Sequence, residues 1–182
     1  MKRTPRLLLV LAGLALVRCG LQAQELKFGL HASVALPLGD IAKAEFLDDE
    51  PGFGVGAHLL IALPAGHAIV PRLDYATFKK SDPTRKVQML QIGADYNYFI
   101  SGQANRGFYL GGGAGYGLAK FEDDSADDTP GNYYLSASAG WMFTPNLGAE
   151  LRYSWAEYKP EFRGYKPEVA SPMVQASFIY RF

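Results

Sequence analysis

Six charged side chains stand out because they occur at alternate positions within segments that are otherwise apolar or small. They are Arg72, Asp74, Asp95, Glu150, Arg152 and Arg181. Three cations and three anions on one face can neutralise one another, and an unpaired charge in a narrow, poorly hydrated space is costly. The sequence therefore favours a mutually paired charge network. A path for ions, lined by the same side chains, is the alternative.

His31 and Ser33 form a second arrangement with chemical potential. Residues two apart in an extended strand share a face, and a serine beside a histidine is the usual start of a nucleophilic site. Some membrane hydrolases that trim lipid A use this spacing. However, the sequence offers no acidic third partner, and the alternation places both side chains on the polar face. We therefore expect a polar pair and no enzyme, and keep a lipid A hydrolase as an alternative.

Metal and cofactor chemistry finds little support in the residue pattern. His31, His58 and His67 lack the close spacing of a metal site. The acidic segment 122–128 has the carboxylates that Ca²⁺ and Mg²⁺ prefer but not the spacing of a known calcium loop, so whether it binds divalent cations stays open. The one cysteine is Cys19. We predict no cofactor and no metal site.

A single repeating theme would have to position these residues: about ten residues of alternating apolar and polar or small character, followed by turn residues. Eight such segments occur, and together they are a strong signal for a transmembrane β-barrel even though each alone is weak. They cover residues 26–36, 53–63, 69–75, 90–98, 108–118, 133–143, 147–155 and 174–182.

The connections between these segments alternate in length. Odd-numbered connections such as 37–52 and 120–132 are long and charged, whereas even-numbered ones such as 64–67 and 144–146 are short. Long loops at one end and tight turns at the other are typical of outer-membrane barrels. The sequence thus predicts an all-β, eight-stranded, antiparallel up-and-down barrel.

Alternation alone does not determine which face points outward, since a soluble lipocalin-like carrier has the same strand number with its apolar face inward. Aromatic residues lie near the strand ends on the apolar face, as in the interfacial girdles of membrane barrels. The opposite face carries the six charges and a row of glycines at 111, 113, 115 and 117. These features favour an apolar exterior and a polar lumen.

The N-terminus differs from the rest of the chain. Lys2, Arg3 and Arg6 precede an apolar run over 7–17, and Ala23 offers a small residue for cleavage before Gln24. This is typical of a secretory signal peptide. We predict a signal peptide over residues 1–23 and a barrel domain over 24–182. Without residues 1–23 the chain has 14 basic and 18 acidic residues, a net charge of −4 that gives no basis for a nucleic-acid partner.

The other end of the sequence closes on alternating aromatics at Phe178, Tyr180 and Phe182. This ending resembles the C-terminal signal by which outer-membrane barrels are handed to their insertion machinery. The stretches 71–75 (PRLDY), 93–96 (GADY) and 107–113 (GFYLGGG) resemble the strands of small eight-stranded outer-membrane β-barrels of the OmpX and OmpA-transmembrane type. The resemblance covers residues 25–182 and implies a fold more than an activity.

The resulting functional prediction is a non-enzymatic, monomeric barrel of the cell outer membrane, with a structural or surface-interaction role and a lumen plugged by its own side chains. Its expected partners are outer-membrane lipids and lipopolysaccharide, the barrel insertion machinery and periplasmic chaperones. A narrow channel, a lipid A hydrolase and a soluble lipid carrier remain the alternatives.

Overall fold

The computed structural model describes residues 25–43, 47, 50–79, 86–123, 126–160 and 168–182, and the side chains of these residues except 122, 123, 126 and 127. The predicted signal peptide at 1–23 therefore lies outside the described part of the molecule, as do residues 124–125 and most side chains of the acidic segment 122–128. No helix among the described residues is long and apolar enough to cross a membrane.

Ten strands and one short 3₁₀ turn make up the described secondary structure. Eight strands are long, and two short ones, β6 and β9, pair with β5 and β8 beyond the main barrel. The strands are β1 (Glu25–Pro37), β2 (Gly52–Ala62), β3 (His67–Lys79), β4 (Lys86–Phe99), β5 (Gly107–Asp123), β6 (Ala126–Asp128), β7 (Gly131–Met142), β8 (Leu147–Tyr158), β9 (Val169–Ala170) and β10 (Met173–Arg181).

The eight long strands close into a barrel in chain order. Each pairs antiparallel with its neighbours, and β10 pairs both with β8 and with β1. The β1–β10 register runs from Gly29 opposite Arg181 to Pro37 opposite Met173, so no long strand is left with an open edge. Closure gives each long strand a paired neighbour on both sides, which a membrane-spanning sheet requires. The predicted all-β, eight-stranded antiparallel barrel is confirmed.

Burial alternates along the strands with the predicted parity. On β1 the side chains from Gly29 to Pro37 alternate strictly between buried and exposed. Large apolar side chains cover the outside; Phe53 is 70 % exposed and Ile92 61 % exposed. The outward face of this barrel is thus its apolar face.

The two ends of the barrel differ in connection length, although not at every connection as predicted, since the β3–β4 connection 80–85 has six residues and the β4–β5 connection 100–106 has seven. Tight connections at 63–66, 100–106 and 143–146 lie at the end where β1 begins and β10 ends, here called the turn end. Left-handed backbone at Ala65, Gly66 and Asn105 allows the first two of these turns. The longer connections 38–51 and 159–172 lie at the opposite end, here called the loop end.

Three strands extend further toward the loop end than the sequence predicts. Strand β3 continues to Lys79, β4 begins at Lys86 and β5 reaches Asp123. The alternation of apolar and polar residues fades there, but the ladder continues through Lys79 opposite Lys86 and through Phe121 opposite Val87. Backbone pairing therefore extends further along these strands than the alternation of side chains from which their ends were predicted.

Candidate functional site in the barrel lumen

Arg72 lies at the centre of a buried charge network. Its guanidinium donates two hydrogen bonds to Asp74, from Nε to Oδ2 at 2.8 Å and from Nη2 to Oδ1 at 2.9 Å. The remaining nitrogen, Nη1, donates to Asp95 at 2.9 Å and to Glu150 at 3.0 Å. The planar fork of arginine suits this simultaneous recognition of several carboxylates. One cation from β3 thus joins carboxylates from β3, β4 and β8.

A second arginine approaches the same network from β8. Arg152 donates to Asp95 through Nη1 and to the Ser136 hydroxyl through Nη2, the latter at 2.8 Å. Ser136 in turn donates to Asp95 Oδ1 at 3.2 Å. Asp95 is therefore shared between two arginines and a serine, and Arg152 itself is only 1 % exposed.

Tyr109 and His31 also contact the carboxylates of the network. The Tyr109 hydroxyl donates to Glu150 Oε2 at 2.8 Å. His31 Nε2 lies 2.7 Å from Asp74 Oδ1. Each carboxylate of the network thus has at least two partners from different strands, which a buried anion needs to offset its lost hydration.

Arg181, which the sequence groups with the other five residues, makes no hydrogen bond to the three carboxylates and interacts with the network through Tyr109 and at a distance with Glu150. Its Nε donates to His58 Nε2 at 3.0 Å and its Nη1 donates to Asn105 Oδ1 at 2.7 Å. Asn105 belongs to the β4–β5 turn, so Arg181 ties the last strand to the turn end of the barrel. The alternation of residues along the sequence predicts that Arg181 points into the lumen. It does not predict the position of Arg181 along the barrel axis, which determines its partners.

The six charges balance in number. Arg72, Arg152 and Arg181 face Asp74, Asp95 and Glu150, and all six are at least 93 % buried. The sum of these six charges is zero. Balance of this kind keeps the Coulomb energy of a narrow interior low.

Glycines beneath the bulky lumen groups make the close packing possible. A Cβ built on Gly113 would meet the Asp95 carboxylate and lie 2.6 Å from the Ala94 carbonyl oxygen. One built on Gly115 would lie 2.6 Å from Gly93 Cα and 2.7 Å from the Tyr134 ring. The glycine row of β5 therefore provides the volume that the charged and aromatic side chains occupy.

Apolar layers cover the polar layer on both sides, which the sequence analysis did not predict. The loop-end layer contains Phe78, Val87, Met89 and Phe121, with Ile41 and Leu47 from the first loop. The turn-end layer contains Leu60, Val70, Phe99 and Met142, with the Tyr109 ring. The inward face is thus polar only in its middle third. The sequence does place Phe78 and Met89 on the inward face, because they share the parity of Asp74 and Gln91. Both residues lie beyond the predicted strand ends, so the apolar layer was not predicted.

Little open space remains around the charge network, whereas a pocket of about 460 Å³ lies at the turn end, lined by Lys27, Ala62, Asn105 and Arg106 among others. A cavity of about 10 Å³ lies between His31, His58, Arg72, Glu150 and Arg181, enough for about one water molecule. Several buried polar atoms nearby, among them Ser33 Oγ, Ser138 Oγ and Arg152 Nε, have no hydrogen-bond partner among the described residues.

The His31 and Ser33 pair is placed inside this packed lumen. Asp74 lies against His31, but the Ser33 hydroxyl makes no hydrogen bond to the histidine. The rings of His31 and His58 are 5.7 Å apart. Within the described part of the chain, no group of three histidine, cysteine or acidic side chains is arranged to hold a metal ion.

The C-terminal aromatics lie on the outer face. Phe178 and Phe182 are well exposed, Tyr180 packs edge-on against Phe182 with centroids 4.9 Å apart, and Phe28 of β1 stacks on Phe182. The Phe182 backbone N–H also donates to the Phe28 carbonyl. These contacts seal the seam between the first and last strands at the turn end.

Ion pairs also occur in the loops outside the spanning strands. Lys43 contacts Asp40 at 2.5 Å, and Lys159 contacts Glu168 at 2.5 Å. The hydrogen bond from Lys43 lowers the pKa of Asp40, and the hydrogen bond to Glu168 raises the pKa of Lys159. Lys43 and Lys159 thus have acidic partners within the chain.

Solved structures share this architecture. Neisserial surface protein A aligns with 18 % identity and a TM-score of 0.57, the attachment invasion locus protein Ail of Yersinia pestis with 15 % and 0.56, and the N-terminal β-barrel domain of OprF from Pseudomonas aeruginosa with 14 % and 0.57. Each alignment covers 86 % of this chain and 97 % of the other. No protein-family model and no curated protein matches the sequence. At these identities the similarity establishes the fold, that of small outer-membrane β-barrels.

Proposed function

We propose that this chain, which has the fold of the small outer-membrane β-barrels, is a closed, non-enzymatic barrel with a structural or surface-interaction role in the cell envelope. The observation that carries the proposal is the lumen: a charge-balanced network is packed between two apolar layers. A barrel so filled offers its outer face and its loops for function, rather than its interior.

The packing argues against the channel alternative. An ion crossing the lumen would have to separate Arg72 from three carboxylates and then pass apolar layers that include Phe78 and Phe99. Breaking a buried ion pair is strongly unfavourable, and apolar constrictions exclude water. Neither the charge network nor the apolar layers would provide an ion with contacts that replace its lost hydration.

The outer face argues against the soluble carrier. Large apolar side chains surround the barrel, including Phe53, Ile92 and Leu135, each more than 60 % exposed. A continuous apolar band of this kind far exceeds the patches found on soluble monomers. The catalytic alternative is disfavoured because His31 and Ser33 are buried in the lumen, away from any membrane lipid.

The proposal includes the route by which the barrel reaches the membrane. The basic start and apolar run of residues 1–23 support export with cleavage before Gln24, and N-terminal sequencing of the membrane form tests this. The outward aromatics that end at Phe182 support recognition by the insertion machinery, after periplasmic chaperones have carried the chain as a monomer. Outer-membrane lipids and lipopolysaccharide are the partners that its apolar face and loops would meet.

Planar-bilayer conductance tests the closed state. Refolded protein, shown to be folded by a heat-modifiable gel shift, should give no unitary current steps in a neutral phospholipid bilayer in which a conducting porin gives them. Stable current steps that scale with the amount of folded barrel would overturn the proposal. Incubation with purified lipid A, followed by mass analysis of the acyl chains, should show no hydrolysis; release of a fatty acid would favour the enzyme alternative.

A further inference from the structure

The pocket at the turn end, here called the mouth pocket, has a lining that includes none of the six lumen charges. Its volume of about 460 Å³ is within the usual range of small-molecule sites, and such sites often lie in the mouths of β-barrels. The strand β1, the end of β2 and two turns contribute the lining residues, which are Glu25, Lys27, Ala62, Gly102, Gln103, Ala104, Asn105, Arg106 and Pro145. The pocket is therefore large enough for a ligand and is built from several parts of the chain.

The β4–β5 turn, which forms one wall of the mouth pocket, is held in place by side-chain hydrogen bonds. Asn105, only 2 % exposed, donates from Nδ2 to the Pro145 carbonyl oxygen at 2.6 Å and accepts from Arg181 Nη1 at 2.7 Å. Ser101 Oγ lies 2.8 and 3.1 Å from two carbonyl oxygens of the same turn. This wall is thus fixed before a ligand binds, and such preorganisation lowers the entropic cost of binding.

Arg106 brings a positive charge to this wall. Among the described residues it forms no ion pair, and its guanidinium donates only to Gln103 Oε1, at 3.5 Å. Residues 1–24 contain no acidic side chain, and the acidic residues outside the described ranges belong to connections at the loop end. The guanidinium of Arg106 and the amide nitrogen of Gln103 can therefore donate to a carboxylate, whose two oxygens match the planar fork of arginine.

A second wall of the mouth pocket, formed by the start of β1, carries charges of both signs. In the closed barrel β1 and β5 are separated by three intervening strands on either side, so β1 reaches the pocket from the opposite side. Glu25 Oε1 and Lys27 Nζ form an ion pair at 3.2 Å, in which the Glu25 side chain remains 47 % exposed. Because a carboxylate can accept several hydrogen bonds, Glu25 can also accept one from the ammonium group of a ligand.

We propose that the mouth pocket binds a short peptide with both ends free, its carboxylate on Arg106 and Gln103 and its ammonium group on Glu25. A simple anion would satisfy only the first wall, whereas a zwitterion satisfies both. The inference rests on the proposed function in two respects. The turn end must face the periplasm, and cleavage before Gln24 must leave a single residue ahead of Glu25, which is too small to fill the pocket.

Amide NMR of the mature chain, refolded in a neutral detergent, tests the site with alanyl-alanine as the probe. Shift changes on titration should be confined to residues 25–27, 102–106 and their neighbours, and should give the apparent Kd. Arg106→Gln should bind the dipeptide about tenfold more weakly, as expected for the loss of a charge-assisted hydrogen bond. The matched control Lys159→Gln removes an exposed cation at the loop end and should bind as the wild type does. A heat-modifiable gel shift verifies that each variant is folded.

The variant Glu25→Gln distinguishes a zwitterion site from a site for simple anions. It removes the partner of the ligand's ammonium group and also releases Lys27 from its ion pair. N-acetyl-alanyl-alanine, which keeps the carboxylate but has no ammonium group, should therefore bind the variant at least as tightly as the wild type. The affinity of alanyl-alanine relative to its acetylated form should fall by about threefold, the usual effect of one exposed charge pair.

Three results would overturn the proposal. Equal binding of alanyl-alanine amide would show that the carboxylate is not recognised, and equal weakening in Lys159→Gln and Arg106→Gln would indicate general charge attraction. An unchanged affinity ratio in Glu25→Gln would indicate a site for simple anions. Conductance and N-terminal sequencing use no peptide, so a conducting barrel or a different cleavage site would count against the proposed function separately from the binding result.

Discussion

Replacing Arg72 by methionine removes the cation that three buried carboxylates share, while keeping most of the side-chain volume. After the change Asp95 retains Arg152 and Ser136, and Asp74 retains His31. Glu150 retains only one hydrogen bond, from the neutral Tyr109 hydroxyl, while Arg152 and Arg181 lie near it without a hydrogen bond to it. Glu150 is therefore the carboxylate that loses its only hydrogen-bonded cation.

The expected loss is about 3–5 kcal/mol in the free energy of unfolding, the usual cost of leaving a buried charge uncompensated. The double variant Arg72→Met/Glu150→Gln removes the stranded charge as well, and returns the lumen to neutrality. It should be more stable than the single variant by more than ~1 kcal/mol, because residues within one network do not contribute independently.

Reversible denaturant unfolding in lipid vesicles measures both values. Trp141 and Trp155 lie on the outer face, 54 % and 42 % exposed, so their fluorescence reports the transfer of the barrel from lipid to water. The control Lys159→Met removes an exposed cation and should leave the unfolding midpoint unchanged. An Arg72→Met midpoint equal to that of the wild type, or no recovery in the double variant, would refute the charge-network account.

Three further predictions concern the packing and the surface. Gly113→Ala should destabilise the barrel by about 1–3 kcal/mol, because the added Cβ would overlap the Asp95 carboxylate. The control is Gly112→Ala, whose Cβ would point outward and meet only the Ser136 carbonyl oxygen at 3.6 Å. This control should leave the midpoint of the same unfolding assay unchanged. Ile92→Lys should cost roughly 2–4 kcal/mol, since the lysine would face hydrocarbon near mid-strand; an unchanged midpoint would contradict the outward assignment. Deleting Phe182 should lower the yield of folded barrel in the outer membrane of cells at normal expression, measured by heat-modifiability; full yield would contradict its role as an insertion signal.

The sequence predicts the barrel well because its main determinant is local. Side chains alternate with a period of two, and this parity assigns Asp74 inward and Ile92 outward without any knowledge of neighbours. Strand number and the alternation of loop lengths follow from counting along the chain. Closure through β1 and β10 then follows from the need to pair every backbone group in a membrane.

The partners of each lumen residue are not predictable in the same way. Contacts across the lumen depend on strand stagger, so Arg72 of β3 meets Glu150 of β8, whereas Arg181 of β10 meets His58 and Asn105 at the turn end. For the same reason the sequence does not predict the apolar layers. Phe78 and Met89 share the inward parity of the charged residues, and only their height separates them from the network.

The most direct test of a membrane-spanning barrel with a filled lumen is the accessibility of spin labels at two adjacent positions, 91 and 92. Gln91 points inward, 3 % exposed, and Ile92 points outward. In lipid vesicles the label at 92 should collide with oxygen dissolved in the bilayer, and the label at 91 should be shielded both from oxygen and from a water-soluble nickel complex. Access of the nickel complex to the label at 91 would indicate an open aqueous lumen, and access of that complex to the label at 92 would place the apolar face outside the membrane.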